Sequence, residues 1–138
     1  MFVLSGTAFP IQEWSELDYD ALGVEIRKLR ENVAGVTDTV LAASDGIPIL
    51  ADVAKDVEPA HISALGASAL GIARQSAEVI GLGVLNQTVV FGGDGYMAVY
   101  AIGRLSLLVV IGDKGLNLGR LLHESRPVIE RVGAILAP

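Results

Sequence analysis

The sequence contains no cysteine among its 138 residues. This absence excludes disulfide bonds, thiolate metal sites and cysteine nucleophiles. Basic residues are also few. The chain has ten Lys and Arg and sixteen Asp and Glu, which gives a net charge of −6. Such a balance argues against a protein that binds nucleic acid. No apolar run reaches the roughly 18 residues of a bilayer span, and the start lacks the basic region of a signal peptide. We therefore expect a cytoplasmic protein without direct membrane insertion.

Apolar residues are abundant. They make up 51% of the chain, whereas charged residues make up 19%. A chain of this length fits one domain with a real hydrophobic core. The apolar share is high for a small monomer. It therefore predicts that part of the apolar surface lies in an interface with another chain.

The segment 56–83 predicts one long helix with two different faces, with Asp56 as its N-cap. Bulky aliphatic residues share one face of the helical wheel: Ile62, Leu65, Ala69, Ile72 and Ile80. Small residues share the other face, which Arg74 and Glu78 continue: Ala60, Ser63, Ala64, Ala67 and Gly71. We expect the bulky face to cover a sheet and the small face to contact the same helix of a second copy. Two alternatives remain open, a helix buried on both sides within one subunit and an Ala-rich surface that only favours helix formation.

The remaining periodicities predict two further helices and five strands. Residues 1–14 show no sustained period and predict a loose arm, docked through Phe2, Phe9 or Trp14, before a domain over 15–138. Ser15 is the expected N-cap of the first helix, and Asn117 that of a last helix kinked at Pro127. The strands are predicted at 36–43, 47–51, 85–91, 96–102 and 107–111.

These elements predict an α+β fold in the order α-β-β-α-β-β-β-α. A five-stranded antiparallel sheet would form the middle of a three-layer α/β/α sandwich, with the central helix on one face and the terminal helices on the other. Pro48 places the second strand at a sheet edge, because proline donates no ladder hydrogen bond. The last strand is apolar on both faces, which is typical of a strand in mid-sheet.

No arrangement of residues predicts catalysis, a metal site or a cofactor. Gly92, Gly93 and Gly95 join two strands without the lysine of a phosphate-binding loop, so they predict a hairpin turn. His61 and His123 lack a clustered set of carboxylates, so solvated histidines are the favoured interpretation. Arg104 is more simply a turn residue than an arginine that acts on a GTPase. We therefore expect a protein that is not an enzyme.

Several short motifs together resemble the Roadblock/dynein-light-chain family, and in particular its small bacterial members. The motifs are GV at 35–36, ASDGIP at 43–48, LNQTVV at 85–90 and NLG at 117–119, within a resemblance over about 17–136. The resemblance implies a homodimer with antiparallel central helices, in which the strand 85–91 pairs with its copy to give a continuous ten-stranded sheet. The predicted interface is Ala60, Ser63, Ala64, Ala67, Gly71, Arg74, Leu85, Gln87 and Val89.

Arg74 lies on the small-residue stripe and has two interpretations. In an antiparallel helix pair it would approach Glu58 of the other copy, whereas within one helix it would pair with Glu78. Both interpretations stay open on the sequence alone.

The same resemblance implies a function in signalling. Family members act on or beside small Ras-like GTPases, and actinobacterial-type relatives also accompany a sensor kinase. The first hypothesis is a non-catalytic homodimeric regulator or scaffold for such a GTPase. The second is a structural adaptor of a membrane-associated sensor-kinase complex that leaves nucleotide turnover unchanged. A small-ligand sensor ranks last, because the predicted core offers few buried polar residues.

Overall fold

The computed structural model describes the backbone of residues 2–3 and the segments 17–54 and 56–137. Three helices are present: α1 (Tyr19–Asn32), α2 (Pro59–Ile80) and α3 (Leu118–Leu136). The strands are β1 (Phe2–Val3), β2 (Val36–Ala43), β3 (Pro48–Asp52), β4 (Gln87–Phe91), β5 (Gly95–Ile102) and β6 (Ser106–Asp113). They form one antiparallel sheet in the order β1-β3-β2-β6-β5-β4. The predicted fold class is confirmed, with the two-residue β1 as an addition to the five predicted strands.

The sheet separates two apolar clusters. On one face α1 and α3 pack side by side over the cluster that contains Leu108 and Val110. On the other face α2 packs over the cluster that contains Leu107 and Val109. Because these four residues alternate along β6 and all are buried, β6 is the mid-sheet strand that its two apolar faces predict.

The strand β3 lies next to the edge of the sheet, since β1 pairs with it from outside at Leu50 and Ala51. The sequence predicts an edge strand here on account of Pro48. That residue lies at the start of β3, beyond the two residues that β1 covers. The predicted docking of Phe9 and Trp14 lies outside the described residues. The predicted N-cap Ser15 was wrong, because α1 begins at Tyr19 and Asp18 is its cap.

The helix ends show how local side chains set the bounds of each helix. Asp18 caps α1 by accepting the N–H of Ala21 at 3.0 Å. Asn117 caps α3 as predicted, and α3 continues as one helix through Pro127. The predicted cap of α2 was wrong, because Glu58 takes that place and Pro59 occupies the first turn. A proline in the first turn loses no helical hydrogen bond, which explains why the helix begins there.

The predicted orientation of α2 was wrong in part. The residues that face the sheet are mostly small, since Ser63, Gly66 and Ala77 are buried beside Leu70. A Cβ atom built on Gly66 would collide with Cγ2 of Val109, so glycine allows α2 to lie close on β6. Small residues therefore allow close packing of the helix on its own sheet. Of the residues predicted to face the sheet, Ile62 and Ala69 are partly buried against it, whereas Leu65, Ile72 and Ile80 are exposed.

No helix in the described part of the chain combines the length and the apolar character needed to cross a membrane.

Candidate interaction surface

The outward side of α2 carries a continuous apolar stripe. Its members are the exposed Leu65, Ile72 and Val79 and the partly buried Ile62 and Ala69, and we call them the apolar flank of α2. Together with Ser76 they follow the alternating spacing of three and four residues that is typical of a seam between two helices. Leu65, Ile72 and Val79 are 63%, 68% and 80% exposed. Their exposure leaves a long aliphatic surface in contact with water, which is unusual for a monomer.

The loop after α2 extends this surface. Gly81 ends the helix in the left-handed conformation, with φ of 77°. On either side of this turn Ile80, Leu82 and Val84 are exposed, Val84 at 90%. Leu85 then turns inward and packs against the cluster under α2. The apolar surface therefore runs without interruption from α2 towards the start of β4.

The strand β4 presents an open backbone edge. The Gly92 N–H donates to the Gly95 carbonyl at 2.8 Å, and the Ala101 N–H donates to the Asn86 carbonyl at 2.9 Å. In an antiparallel ladder such bonded pairs alternate with unbonded ones. The N–H and C=O groups of Gln87, Val89 and Phe91 therefore point away from β5, towards a free edge that a further strand fits.

Part of the sheet beside the apolar flank is also uncovered. Val90 is 47% exposed and pairs with Met97, and Met97 and Ile111 are only partly buried next to Ile62 and Ala69. The apolar surface beside α2 therefore includes part of the sheet.

The residues of the predicted interface fall into three groups. Ala60, Ala64 and Gly71 are exposed on the side of α2 next to the apolar flank. Leu85, Gln87 and Val89 lie at or before the open strand β4, where Gln87 is exposed and the other two are partly buried. The interface role of all six residues stays a prediction.

The third group, Ser63, Ala67 and Arg74, turns towards the subunit itself, contrary to the outward placement expected of them. The Ser63 hydroxyl is buried and donates to the Gly46 carbonyl at 2.6 Å. Ala67 packs against the cluster under α2. The Arg74 guanidinium donates to the Gly103 carbonyl at 3.1 Å, so it stabilises the β5–β6 turn. Within the described residues it forms no ion pair with Glu78.

Sequence reasoning missed the exposed residues Val79, Leu82, Val84 and Phe91. The first of these was recognisable, since the heptad spacing from Leu65 through Ile72 reaches Val79. The others lie in or beside glycine-containing turns. There no periodicity indicates which way a side chain points.

The polar residues with possible chemical roles remain apart. His61 and His123 are both exposed, on opposite faces of the sheet, and Arg104 is exposed in the β5–β6 turn. Across the segments that the structure describes, no group of three or more His, Asp or Glu side chains is placed to hold a metal ion. The main features that the described residues offer to a partner are therefore the apolar flank of α2 and the open edge of β4.

Comparison with known proteins shows which family the chain belongs to. The model of the Roadblock/LC7 domain matches residues 22–112, which is most of the chain and includes α2 and β4. The chain belongs to the Roadblock/LC7 family. An uncharacterized protein of Methanocaldococcus jannaschii is 28% identical over 101 residues, covering 73% of this chain and 88% of the relative.

Solved structures confirm the Roadblock/LC7 fold. A Roadblock/LC7 domain from Streptomyces avermitilis superposes with a TM-score of 0.76 at 21% identity, covering 81% of this chain and 94% of that domain. A structure of MglB with a tetrameric arrangement superposes with a TM-score of 0.79 at 17% identity, covering 97% of this chain and 94% of the MglB chain.

Proposed function

We propose that the protein is a non-catalytic homodimer that regulates or scaffolds a small Ras-like GTPase in a bacterial signalling system. The observation that carries the dimer is the continuous exposed surface formed by the apolar flank of α2, the loop after it and the open edge of β4. The family membership supports the GTPase as partner, as the sequence resemblance implies. The absence of a transmembrane helix from the described residues is compatible with action in the cytoplasm.

The dimer would bury both parts of this surface at once. Burial of a Leu, Ile or Val side chain contributes about 1.5–3 kcal/mol, so Leu65, Ile72 and Val79 from two copies supply a large driving force. Antiparallel pairing of β4 with its copy would satisfy the outward backbone groups of Gln87, Val89 and Phe91. Both contacts are self-complementary about one twofold axis, as a closed dimer requires.

The dimer offers a GTPase a composite surface that neither subunit has alone. A regulator of this kind acts when it binds one switch conformation of the GTPase more tightly than the other and so changes their populations. Two chains at −6 each give a dimer of −12, so we expect the docking patch of the GTPase to be basic. Binding should therefore weaken as the salt concentration rises.

The first test measures the dimer by sedimentation equilibrium. We expect Ile72→Glu to give a monomer, because it places a charge in the apolar flank. The matched control Gln75→Glu adds the same charge to an exposed position of the same helix and should remain dimeric. If Gly71→Leu dissociates the dimer while Ile72→Glu does not, the small-residue side of α2 forms the contact and our interface assignment is wrong.

The second test measures GTP hydrolysis and nucleotide release by purified Ras-like GTPases of the source organism. Wild-type protein should change at least one of these rates, the monomeric Ile72→Glu variant should not, and Gln75→Glu should act like wild type. Binding of a GTPase without any change in either rate would favour the scaffold. Co-purification with a sensor kinase and no GTPase would instead favour the adaptor hypothesis and contradict the proposal.

A further inference from the structure

The open edge of β4 pairs completely with its own copy in one register only. Its outward backbone groups belong to Gln87, Val89 and Phe91, because those of the residues between them face β5. A twofold axis at Val89 places Gln87 opposite Phe91 of the partner subunit and brings all three residues of both strands into bonded pairs. An axis one residue to either side places Gln87 or Phe91 opposite a residue outside the strand. The ladder within each subunit therefore sets the register of the proposed dimer.

In this register the turn between β4 and β5 of one subunit runs along an open cleft of the other. Past the pair of Gln87 and Phe91 of the partner subunit, the register sets residues 84–86 alongside residues 92–94 of the partner subunit. Residues 84–87 line the cleft together with Ala73, Ala77, Leu82 and Arg126. The cleft is thus placed to receive the turn, and the twofold axis creates two such contacts.

Opposite charges without partners meet at this cleft. Asp94 is exposed in the tight turn that the Gly92 N–H closes by donating to the Gly95 carbonyl at 2.8 Å. Arg126 is exposed on α3 at the cleft. Within one subunit, as far as the structure describes it, neither Asp94 nor Arg126 forms an ion pair. A guanidinium and a carboxylate brought together form charge-assisted hydrogen bonds, which are stronger than those between neutral groups.

We propose that Arg126 binds Asp94 of the partner subunit, and that this pair, formed twice in the dimer, selects a second copy of the chain as the partner at β4. Each chain carries both charges, so a second copy presents the matching charge at both contacts. The inference rests on the proposed dimer and adds the residues that determine its specificity.

The ring of Phe91 supports the same contact. Phe91 is 68% exposed, and Tyr96 meets its ring edge-to-face at 5.4 Å. Because Val89 and Tyr96 pack with the cluster under α1 and α3, the side chains of Gln87 and Phe91 point to that face as well. Residues paired across two strands have their side chains on the same face. Phe91 of the partner subunit therefore lies beside Gln87 on the side of α3, where its ring adds apolar contact next to the ion pair.

Glu130 is the carboxylate that could compete for Arg126. It lies one turn further along α3 and is exposed, and the described residues show no ion pair between the two. An ion pair of this spacing stabilises a helix only weakly. A guanidinium also has several N–H donors, so it can bind Asp94 of the partner subunit with Glu130 nearby.

Reversal of one charge at a time tests the pair. In the homodimer of Arg126→Glu two carboxylates oppose each other at both contacts, and in that of Asp94→Lys two cations do. Each variant should raise the Kd of the dimer about tenfold or more in sedimentation equilibrium at low salt, because attraction becomes repulsion at two places. A one-to-one mixture of the two variants restores an attractive pair at each contact. It should therefore form a heterodimer with the Kd of the wild type, which also shows that both variants fold.

Arg120→Glu is the matched control, because it makes the same change of charge at an exposed position of α3 outside the cleft. Its homodimer should keep the Kd of the wild type, and its mixture with Asp94→Lys should not restore that value. Glu130→Gln should not weaken the dimer, since it removes only a competitor.

Three results would overturn the inference while the dimer stands. They are a dimer that neither reversal at Arg126 or Asp94 weakens, a mixture that stays as weak as its components, and an equal effect of Arg120→Glu. A monomeric wild type would instead refute the dimer itself, so the failure of the one proposal is distinguishable from the failure of the other.

Discussion

Glu25 connects the two helices that share one face of the sheet. Only 7% exposed, it accepts hydrogen bonds from Lys28 at 2.8 Å and from Arg131 at 2.7 Å. Burial raises the pKa of Glu25, but the hydrogen bonds and charges of Lys28 and Arg131 outweigh it and hold the pKa below its ordinary value of 4.5. The ionised carboxylate therefore stabilises the contact between α1 and α3.

This lowered pKa makes part of the stability depend on pH. The contribution is complete above the ordinary pKa of the carboxyl and is lost as the pH falls through the lowered value. Glu25→Gln should cost about 1–2 kcal/mol of unfolding free energy at pH 7, because both cations are partly exposed and regain water. The cost should shrink below pH 4.5 in urea unfolding at a series of pH values. Glu31→Gln, exposed on the same helix, should show no such trend, and an unchanged cost at pH 3 would contradict the prediction.

Two glycines of α2 differ in what a methyl group would meet. At Gly66 it collides with Val109, whereas at Gly71 nothing lies within 4 Å. Gly66→Ala should therefore lower the unfolding free energy by about 1–3 kcal/mol through overpacking. Gly71→Ala should raise it by up to about 1 kcal/mol, because alanine favours the helix. Urea unfolding at one fixed protein concentration tests the pair, and equal effects of the two substitutions would refute the close approach of α2 to β6.

At the scale of elements, periodicity found the helices and strands but not which face of α2 turns inward. Both faces of α2 lack charge over most of their length, so hydrophobicity alone could not distinguish the face that contacts the sheet from the face that is left exposed. The deciding quantity is the distance between α2 and β6, which Gly66 makes short. Such a distance depends on tertiary packing and is invisible in one sequence. The position of β6 in the middle of the sheet was predictable, because a strand with two apolar faces requires cover on both sides.

The edge of β4 gives a prediction at the same scale. The N–H of Val89 points away from β5, so Val89→Pro removes a donor that the ladder within the subunit does not use. We expect this variant to fold, with an unchanged far-UV circular dichroism spectrum, and to sediment as a monomer.

Val90→Pro is the control at the neighbouring position, because the N–H of Val90 points to β5. It should instead destabilise the subunit by several kcal/mol, as expected of proline within a ladder. A dimeric Val89→Pro protein would show that the strand edge is not part of the interface.

At the scale of the whole molecule, folding and association should be coupled. In the proposed dimer a second copy covers the exposed apolar flank, so the melting temperature of the wild type should rise with protein concentration. A tenfold increase corresponds to about 1.4 kcal/mol, enough for a shift of a few degrees in calorimetry. The melting temperature of Ile72→Glu should not depend on concentration. A wild type that behaves in the same way would be evidence for a folded monomer.

The candidate surface was only partly predictable at this scale. The high apolar content correctly indicates surplus apolar surface, and the motif at 85–90 locates the open strand. Phe91 and Val84 could not be assigned, because their exposure results from how the turns at Gly92 and Gly83 leave the sheet. The cap on β3 by Phe2 and Val3 was equally unforeseen, since two residues carry no periodic signal.

The pairing of Phe2 and Val3 with β3 has a consequence for the proposed assembly. Phe2 and Val3 occupy the outer side of β3 at Leu50 and Ala51, so in the described part of the chain β4 alone offers a long unoccupied edge. A subunit with one free strand edge can pair through it with one other subunit only, whereas a fibre requires two free edges on every subunit. In the proposed dimer, the pairing of β1 with β3 would therefore limit assembly through strand edges to two subunits.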